Sequence, residues 1–198
     1  MKTVLTGGIG SGKSYVARLL SERGLRVYDC DSAAKRLMRT SEELRSQLIE
    51  LIGTDAYIYN KVSDEWQLQK PVVTRFLMAD SANQAALNAL VHPTVIADFL
   101  ASGSEWIESA IAFEAGIDHI VDRIVVVTAP IEVRISRIMA RDGISRSKAL
   151  DWIERQLPQE ELERRADILI VNDGTTPLQP QIDRLLPDVP ADISNSSI

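Results

Sequence analysis

Three stretches of this chain carry side chains suited to phosphate chemistry. GGIGSGKS (7–14) fits G-x-x-x-x-G-K-[ST] through Gly7, Gly12, Lys13 and Ser14. RVYDCDSAAK (26–35) sets Asp29 and Asp31 on either side of Cys30, the one cysteine present. PIEVRISRIMARDG (130–143) spaces Arg134, Arg137 and Arg141 at i, i+3 and i+7, a single helical face. In the first stretch, glycines let the backbone curl so that successive N–H groups point inward at phosphate oxygens, reinforced by a helix N-terminus. Lys13 adds a point charge at the β- and γ-phosphates, and the Ser14 hydroxyl is suited to Mg²⁺. Three guanidiniums on one stripe repel each other unless anions face them. Either phosphates do so, or the stripe is a solvated face partly neutralised by Glu132 and Asp142.

The two aspartates admit several uses. Phosphoryl transfer needs a carboxylate to take or orient the proton of an acceptor hydroxyl, and it needs no covalent nucleophile. If Asp29 and Asp31 end a strand, residues two apart share a face, with Cys30 pointing the other way. Asp31 can instead cap the helix starting at SAAKRLM. Cys30 reads as a small buried apolar residue.

These residues must be held by elements. Five β-rich runs stand out: KTVLT (2–6), LRVYD (25–29), WIESAIAF (106–113), RIVVVTA (123–129) and DILIVN (167–172). Most are nearly continuous apolar runs, as in strands covered on both faces. Helical patterns alternate with them, which predicts an α/β fold, a three-layer P-loop sandwich on a five-stranded parallel sheet. The P-loop motif follows the first run and precedes a helical pattern with Val16, Leu19 and Leu20 on one face. That context is the one the motif requires.

The second and third runs are too far apart for a simple crossover, and the segment between them has helical signals. TSEE (40–43) reads as a capping box leading into Leu44, Leu48, Leu51 and Ile52, with Gly53 as the stop. Pro71 suits a first helical turn. SANQ (81–84) reads as a second capping box before Leu87, Leu90 and Val91. The expected organisation is a nucleotide-binding core (1–38, 104–139 and 164–186), a helical insert (39–103), a lid (140–163) and a Pro- and Ser-rich fraying tail (187–198).

Composition bounds the function. The chain has 198 residues, 45% apolar and 25% charged, with a net charge of −6. That balance disfavours general nucleic-acid binding. No run approaches the ~18 apolar residues of a membrane span. One cysteine forms no internal disulfide. A cytoplasmic protein that engages no nucleic acid or membrane is the expectation, with the oligomeric state open. No Asp is followed three residues later by Gly, so the D-x-x-G switch of a GTPase is missing. An insert plus a lid points to a small-molecule kinase.

LTGGIGSGKS (5–14), VYDCDSAAK (27–35), LNALVHPTV (87–95), ESAIAFEAG (108–116), APIEVRISRIMARDG (129–143) and ADILIVNDG (166–174) occur in that order. Together they resemble the dephospho-CoA kinases, from residue 3 to about 186. The resemblance implies transfer of the ATP γ-phosphate to the ribose 3′-hydroxyl of dephospho-CoA, giving CoA and ADP, the last step of coenzyme A synthesis. Asp31 then matches the general base, and Lys13 and Ser14 the phosphate and Mg²⁺ positions. Gly8, Gly10, Ser11, Gly12 and Tyr15 complete the nucleotide contacts, with Asn172 near the adenine. Arg137 and Arg141 match lid arginines. His92, before Pro93, matches a signature of the substrate domain, or makes a structural hydrogen bond near a Pro-started helix. Glu114 reaches Mg²⁺ through water, or is structural. Tyr15, Ser109–Ala110–Ile111 and Gln69–Lys70 depart from the family's usual residues. Two other readings stand beside this one: a different P-loop small-molecule kinase, and a nucleotide-dependent regulatory module.

Overall fold

The computed structural model describes residues 1–186; the tail predicted over 187–198 lies outside them. All five predicted strands form: β1 (Thr3–Thr6), β2 (Val27–Asp29), β5 (Trp106–Glu108), β6 (Arg123–Thr128) and β7 (Ile168–Val171). They make one sheet in the order β2-β5-β1-β6-β7. β2 runs parallel to β5, with Asp29 opposite Glu108, and β6 runs parallel to β7. β1 is buried at all four positions, the two threonines at its ends included, as in a strand covered on both faces. The chain divides into two compact units, Met1–Val4 with Arg26–Arg123, and Leu5–Leu25 with the described residues from Ile124.

In the first unit, α2 (Cys30–Thr40) follows β2 directly, and α3 (Glu42–Ile52) follows α2. Leu44 and Leu48 are the buried residues of α3, and Gly53 ends it at φ 123°. The predicted box at 40–43 does not form. Ser41 is the cap, its Oγ accepting the Leu44 N–H at 3.2 Å, so Glu43 falls one position short of reciprocating. The chain then makes a hairpin, β3 (Tyr57–Asn60) and β4 (Glu65–Leu68), which a purely helical insert does not include. Its cross-strand pair Tyr59–Trp66, ring centroids 5.2 Å apart, is the kind of contact that stabilises two strands. The Asn60 side chain accepts the N–H groups of Val62 and Ser63 and closes the turn.

α4 (Lys70–Ala79) carries Pro71 in its first turn, as expected. α5 (Ala82–Ala101) is 20 residues long. Its predicted box at 81–84 is absent too: Ser81 makes no cap bond, and Asp80 instead accepts the Ala82 N–H at 2.8 Å. Pro93 lies inside α5 rather than at the start of a helix. β5 is shorter than the run that announced it. The Ser109 Oγ accepts the Ile111 N–H at 3.2 Å and bends residues 109–113 out of the strand.

In the second unit, α1 (Lys13–Ser21) buries Val16, Leu19 and Leu20, the predicted face. α6 (Ile131–Asp142) runs from Pro130 to Gly143, which caps it at φ 65°. α7 (Arg146–Glu154) and α8 (Gln159–Arg164) occupy the predicted lid segment, and α9 (Gln179–Asp183) follows β7. Ile135, Ile138 and Ala149 form a buried cluster joining α6 to α7, packed over by Ile9 of the glycine loop.

Candidate active site

The glycine loop links β1 to α1. Gly10 and Gly12 sit at φ 79° and 96°, a region that only glycine enters without strain. Gly12 precedes α1 with no capping side chain, and the first turn of α1 holds no acid. The positive end of the helix dipole is therefore left for an anion.

Every carbonyl from Gly8 to Gly12 is engaged by a protein donor. Gly8 O accepts the Ser11 N–H at 3.1 Å and Lys13 Nζ at 3.5 Å. Ile9 O accepts Arg134 Nε at 2.9 Å. Gly10 O accepts Arg137 at 3.3 Å. Ser11 O accepts both Arg137 at 3.3 Å and Asn172 Nδ2 at 2.8 Å. Gly12 O accepts the N–H groups of Tyr15 and Val16, each at 3.1 Å. With its negative ends neutralised, the field of the loop is dominated by its N–H groups, the condition for an anion-binding nest. That geometry fits the polyphosphate of a nucleotide.

Arg134, Arg137 and Arg141 share a helix face but not a task. Arg134 is only 3% exposed. Besides Ile9 O, it donates to Gln159 Oε1 at 2.8 Å. Burial pulls its pKa below the ordinary guanidinium value, and Glu160 opposes that shift. It braces the loop from behind and does not face an anion, contrary to the common stripe expected. A Cβ on Gly10 would lie 2.7 Å from the Arg134 carbonyl, and one on Gly8 would strike its guanidinium. Arg137 also donates to Asn172 Oδ1 at 3.3 Å. Arg141 is exposed and paired with Asp142 at 2.8 Å. Glu132, expected to neutralise the stripe, pairs with Arg146 instead. Asn172 is 8% exposed and bolted to the loop by the bonds just described. Ser14 and Tyr15 are exposed on the first turn of α1. The Gln156 side chain, which has no sequence motif to announce it, accepts the Ile9 N–H at 2.7 Å.

The first unit holds the two aspartates, and it separates them. β2 ends at Asp29, and α2 starts at Cys30 with no intervening loop. Asp29 is the N-cap: Oδ1 accepts the N–H groups of Asp31 at 2.9 Å and Ser32 at 3.1 Å, and Oδ2 accepts the Ser32 hydroxyl at 2.6 Å. The expectation that both acids share a strand face, and the alternative that Asp31 is the cap, are both corrected. Asp31 lies in the first helical turn, so its side chain leaves in a different direction from that of Asp29.

Asp31 lines a cavity of about 210 Å³ together with His92, Leu87, Val91, Val95 and Ser109. Positions 87, 91, 92 and 95 form one stripe of α5, so the segment LNALVHPTV presents a wall here. Cys30 is buried, as expected. Burial, then the charges of Asp31 and Asp29, push its thiol up to about 12, which keeps it protonated and unreactive. Burial lowers the His92 pKa and Glu114 opposes it, so the imidazole is neutral at pH 7. No hydrogen bond to the His92 ring is seen among the described residues. Glu114 is exposed on the turn after β5. Among the described residues, no three His, Cys, Asp or Glu side chains converge on a metal position. No helix among them is long and apolar enough to cross a membrane.

A glycine loop between a buried strand and a helix, beside a sheet with parallel strand pairs, defines a P-loop protein of the α/β kinase class. The dephospho-CoA kinase family model matches residues 2–177. The chain is 36% identical over 193 residues to a dephospho-CoA kinase of Bacteroides fragilis, covering 94% of this chain and 91% of that one. Its structure superposes on the crystal structure of TT1252 from Thermus thermophilus with a TM-score of 0.73 at 30% identity, over 93% of both chains. The dephospho-CoA kinase from Campylobacter jejuni shares the fold, with a TM-score of 0.63 at 18% identity over 93% of this chain and 96% of that one. The chain belongs to the dephospho-CoA kinase family, and it is an ATP-using transferase.

Proposed function

We infer that this chain transfers the γ-phosphate of ATP to the ribose 3′-hydroxyl of dephospho-CoA, releasing CoA and ADP. The reading of the site rests on one observation above all. Of the two acids after β2, Asp29 is held by three hydrogen bonds as a cap, while Asp31 lines a cavity large enough to admit part of an acceptor.

In this reading the glycine loop and the N-terminus of α1 bind the phosphates, and Lys13 neutralises charge as the phosphoryl group moves. Gly8, Gly10, Ser11 and Gly12 provide the curved backbone, and Tyr15 and Asn172 flank it. Asp31 orients the acceptor hydroxyl and takes its proton as the oxygen–phosphorus bond forms. His92, neutral at pH 7, contacts the acceptor. Arg141 and Arg137 offset negative charge from the lid, Arg137 by exchanging its long bonds to loop carbonyls for phosphate oxygens. Ser14 would hold Mg²⁺, with Glu114 reaching it through water. One hydroxyl plus substrate phosphates suits an ion that keeps several waters. When bound, Mg²⁺ supplies charge neutralisation on the phosphate oxygens. The division into core, insert (39–103) and lid (140–163) and a cytoplasmic location belong to the same proposal.

The test is ADP release from ATP with and without dephospho-CoA, in the native protein and in Asp31→Asn. Strong stimulation by dephospho-CoA, lost in the variant, is the expected result. Equal ADP release with and without it would overturn the acceptor assignment.

A further inference from the structure

Below Asp31, the same face of α2 carries Lys35, Met38 and Arg39. These are steps of four, seven and eight residues, so all three sit under the aspartate. At 1.5 Å per residue, Lys35 is about 6 Å and Arg39 about 12 Å along the helix axis from Asp31. Lys35, Met38 and Arg39 line a second cavity, of about 330 Å³, whose other walls include Trp66 of β4 and Lys70 of α4. Met38 also lines the cavity beneath Asp31, so the two share a wall.

Three cations thus converge on one groove, against one acid, Glu65. No ion pair to Lys35, Arg39 or Lys70 is seen among the described residues, whereas Arg36, next to Lys35, is paired with Asp98 at 2.5 Å. In a chain of net charge −6, cations clustered without counter-charges repel each other, and an anion relieves that repulsion. The groove is not a general anionic surface, because Trp66 and Met38 make part of it apolar. It suits a ligand with a polyanionic centre and less polar flanks.

We propose that Lys35, Arg39 and Lys70 form the subsite for the diphosphate of the acceptor, holding it along α2 so that its ribose hydroxyl reaches Asp31. This rests on the acceptor reading above. In dephospho-CoA the 5′-diphosphate is joined to the carbon bearing the 3′-hydroxyl through C4′, C5′ and an ester oxygen. That separation is on the order of one helical turn, the spacing from Asp31 to Lys35. Recognition of the diphosphate then registers the hydroxyl on the base, and an acceptor lacking the diphosphate loses that register.

The test measures KM and calorimetric affinity for dephospho-CoA and for adenosine, which carries the same ribose hydroxyl without the diphosphate. The proteins are native, Lys35→Ala, Arg39→Ala, Lys70→Ala and the triple variant, with thermal unfolding as the check on folding. Alanine suits exposed helical positions. Each single change is expected to weaken dephospho-CoA about tenfold, with adenosine binding unaltered and the preference for dephospho-CoA nearly abolished in the triple variant. Charge-keeping Lys35→Arg should restore most of the loss. If native protein turns over dephospho-CoA but the variants leave its affinity unchanged, or weaken adenosine equally, the subsite is wrong and the acceptor reading stands. If native protein does not phosphorylate dephospho-CoA, both fall.

Discussion

The carboxylate of Asp29 accepts the backbone N–H of Asp31 at 2.9 Å, so one acid of the D-x-D pair anchors the helix turn that carries the other. The pair is a cap and a candidate base, two residues apart and chemically alike. Asp31→Asn is expected to lower kcat by ~10²–10⁴ while ATP affinity and melting temperature stay near native. Asp29→Ala should do the reverse, destabilising the fold by about 1 kcal/mol with a smaller fall in kcat. Steady-state kinetics and thermal unfolding on both variants check this.

Lys13→Ala is expected to reduce turnover sharply, because an ammonium at the transferring phosphate stabilises charge that grows in the transition state. A rate assay at saturating ATP separates this from lost binding.

Gly10→Ala meets two obstacles, a backbone at φ 79° and the Arg134 carbonyl 2.7 Å from the new Cβ. The carbonyl belongs to helix α6 and has no flexible end to yield. Displacing the loop by about 1 Å is expected to cost on the order of 10²-fold in kcat/KM. Gly24→Ala, at φ 84° with nothing within 4 Å, provides the contrast: strain alone, about 1–2 kcal/mol of stability.

Cys30 is expected to resist iodoacetamide at pH 8 in the native protein and to react readily in denaturant. A thiol pushed up to about 12 is almost wholly protonated at that pH. Its folded value lies above its unfolded value, so this group's contribution to stability is complete below about pH 9 and declines as pH rises toward 12. Mass spectrometry after timed alkylation reads the difference.

His92 has the opposite sign. Burial depresses its folded pKa below 6.5, so the unfolded state binds more protons as pH falls through 6.5. Acid should therefore destabilise the native protein, and His92→Gln should flatten the fall in melting temperature between pH 7 and 5.

Local patterns were legible wherever a residue's environment is set by its neighbours in the chain. The glycine loop, the five strands, the buried face of α1 and the ends of α6 at Pro130 and Gly143 all follow from short-range sterics and from apolar periodicity. The hairpin at 57–68 was not legible: along the chain the segment reads as part of a helical insert, and the Tyr59–Trp66 pairing that holds the two strands exists only in the folded chain. The two capping boxes failed for a local reason. At 40–43 the helix begins one residue later than the motif, with Ser41 as the cap. At 81–84 it begins where the motif asks, but Ser81 is itself in helical geometry and Asp80 takes the Ala82 N–H.

The sequence alone determined which residue types were available and in what order: an anion-binding loop, two acids and three arginines on one stripe. Only the tertiary structure decided their tasks. Arg134 and Arg137 look equivalent along the chain, yet one is buried between Ile9 O and Gln159, and the other, half-buried, reaches Gly10 O, Ser11 O and Asn172. Asp29 and Asp31 look equivalent too, until β2 passes into α2 between them and commits one carboxylate to the backbone. The physical reason is that a polar side chain's role depends on the partner that satisfies it. For these residues the partner is a backbone group or side chain whose position only the folded chain sets.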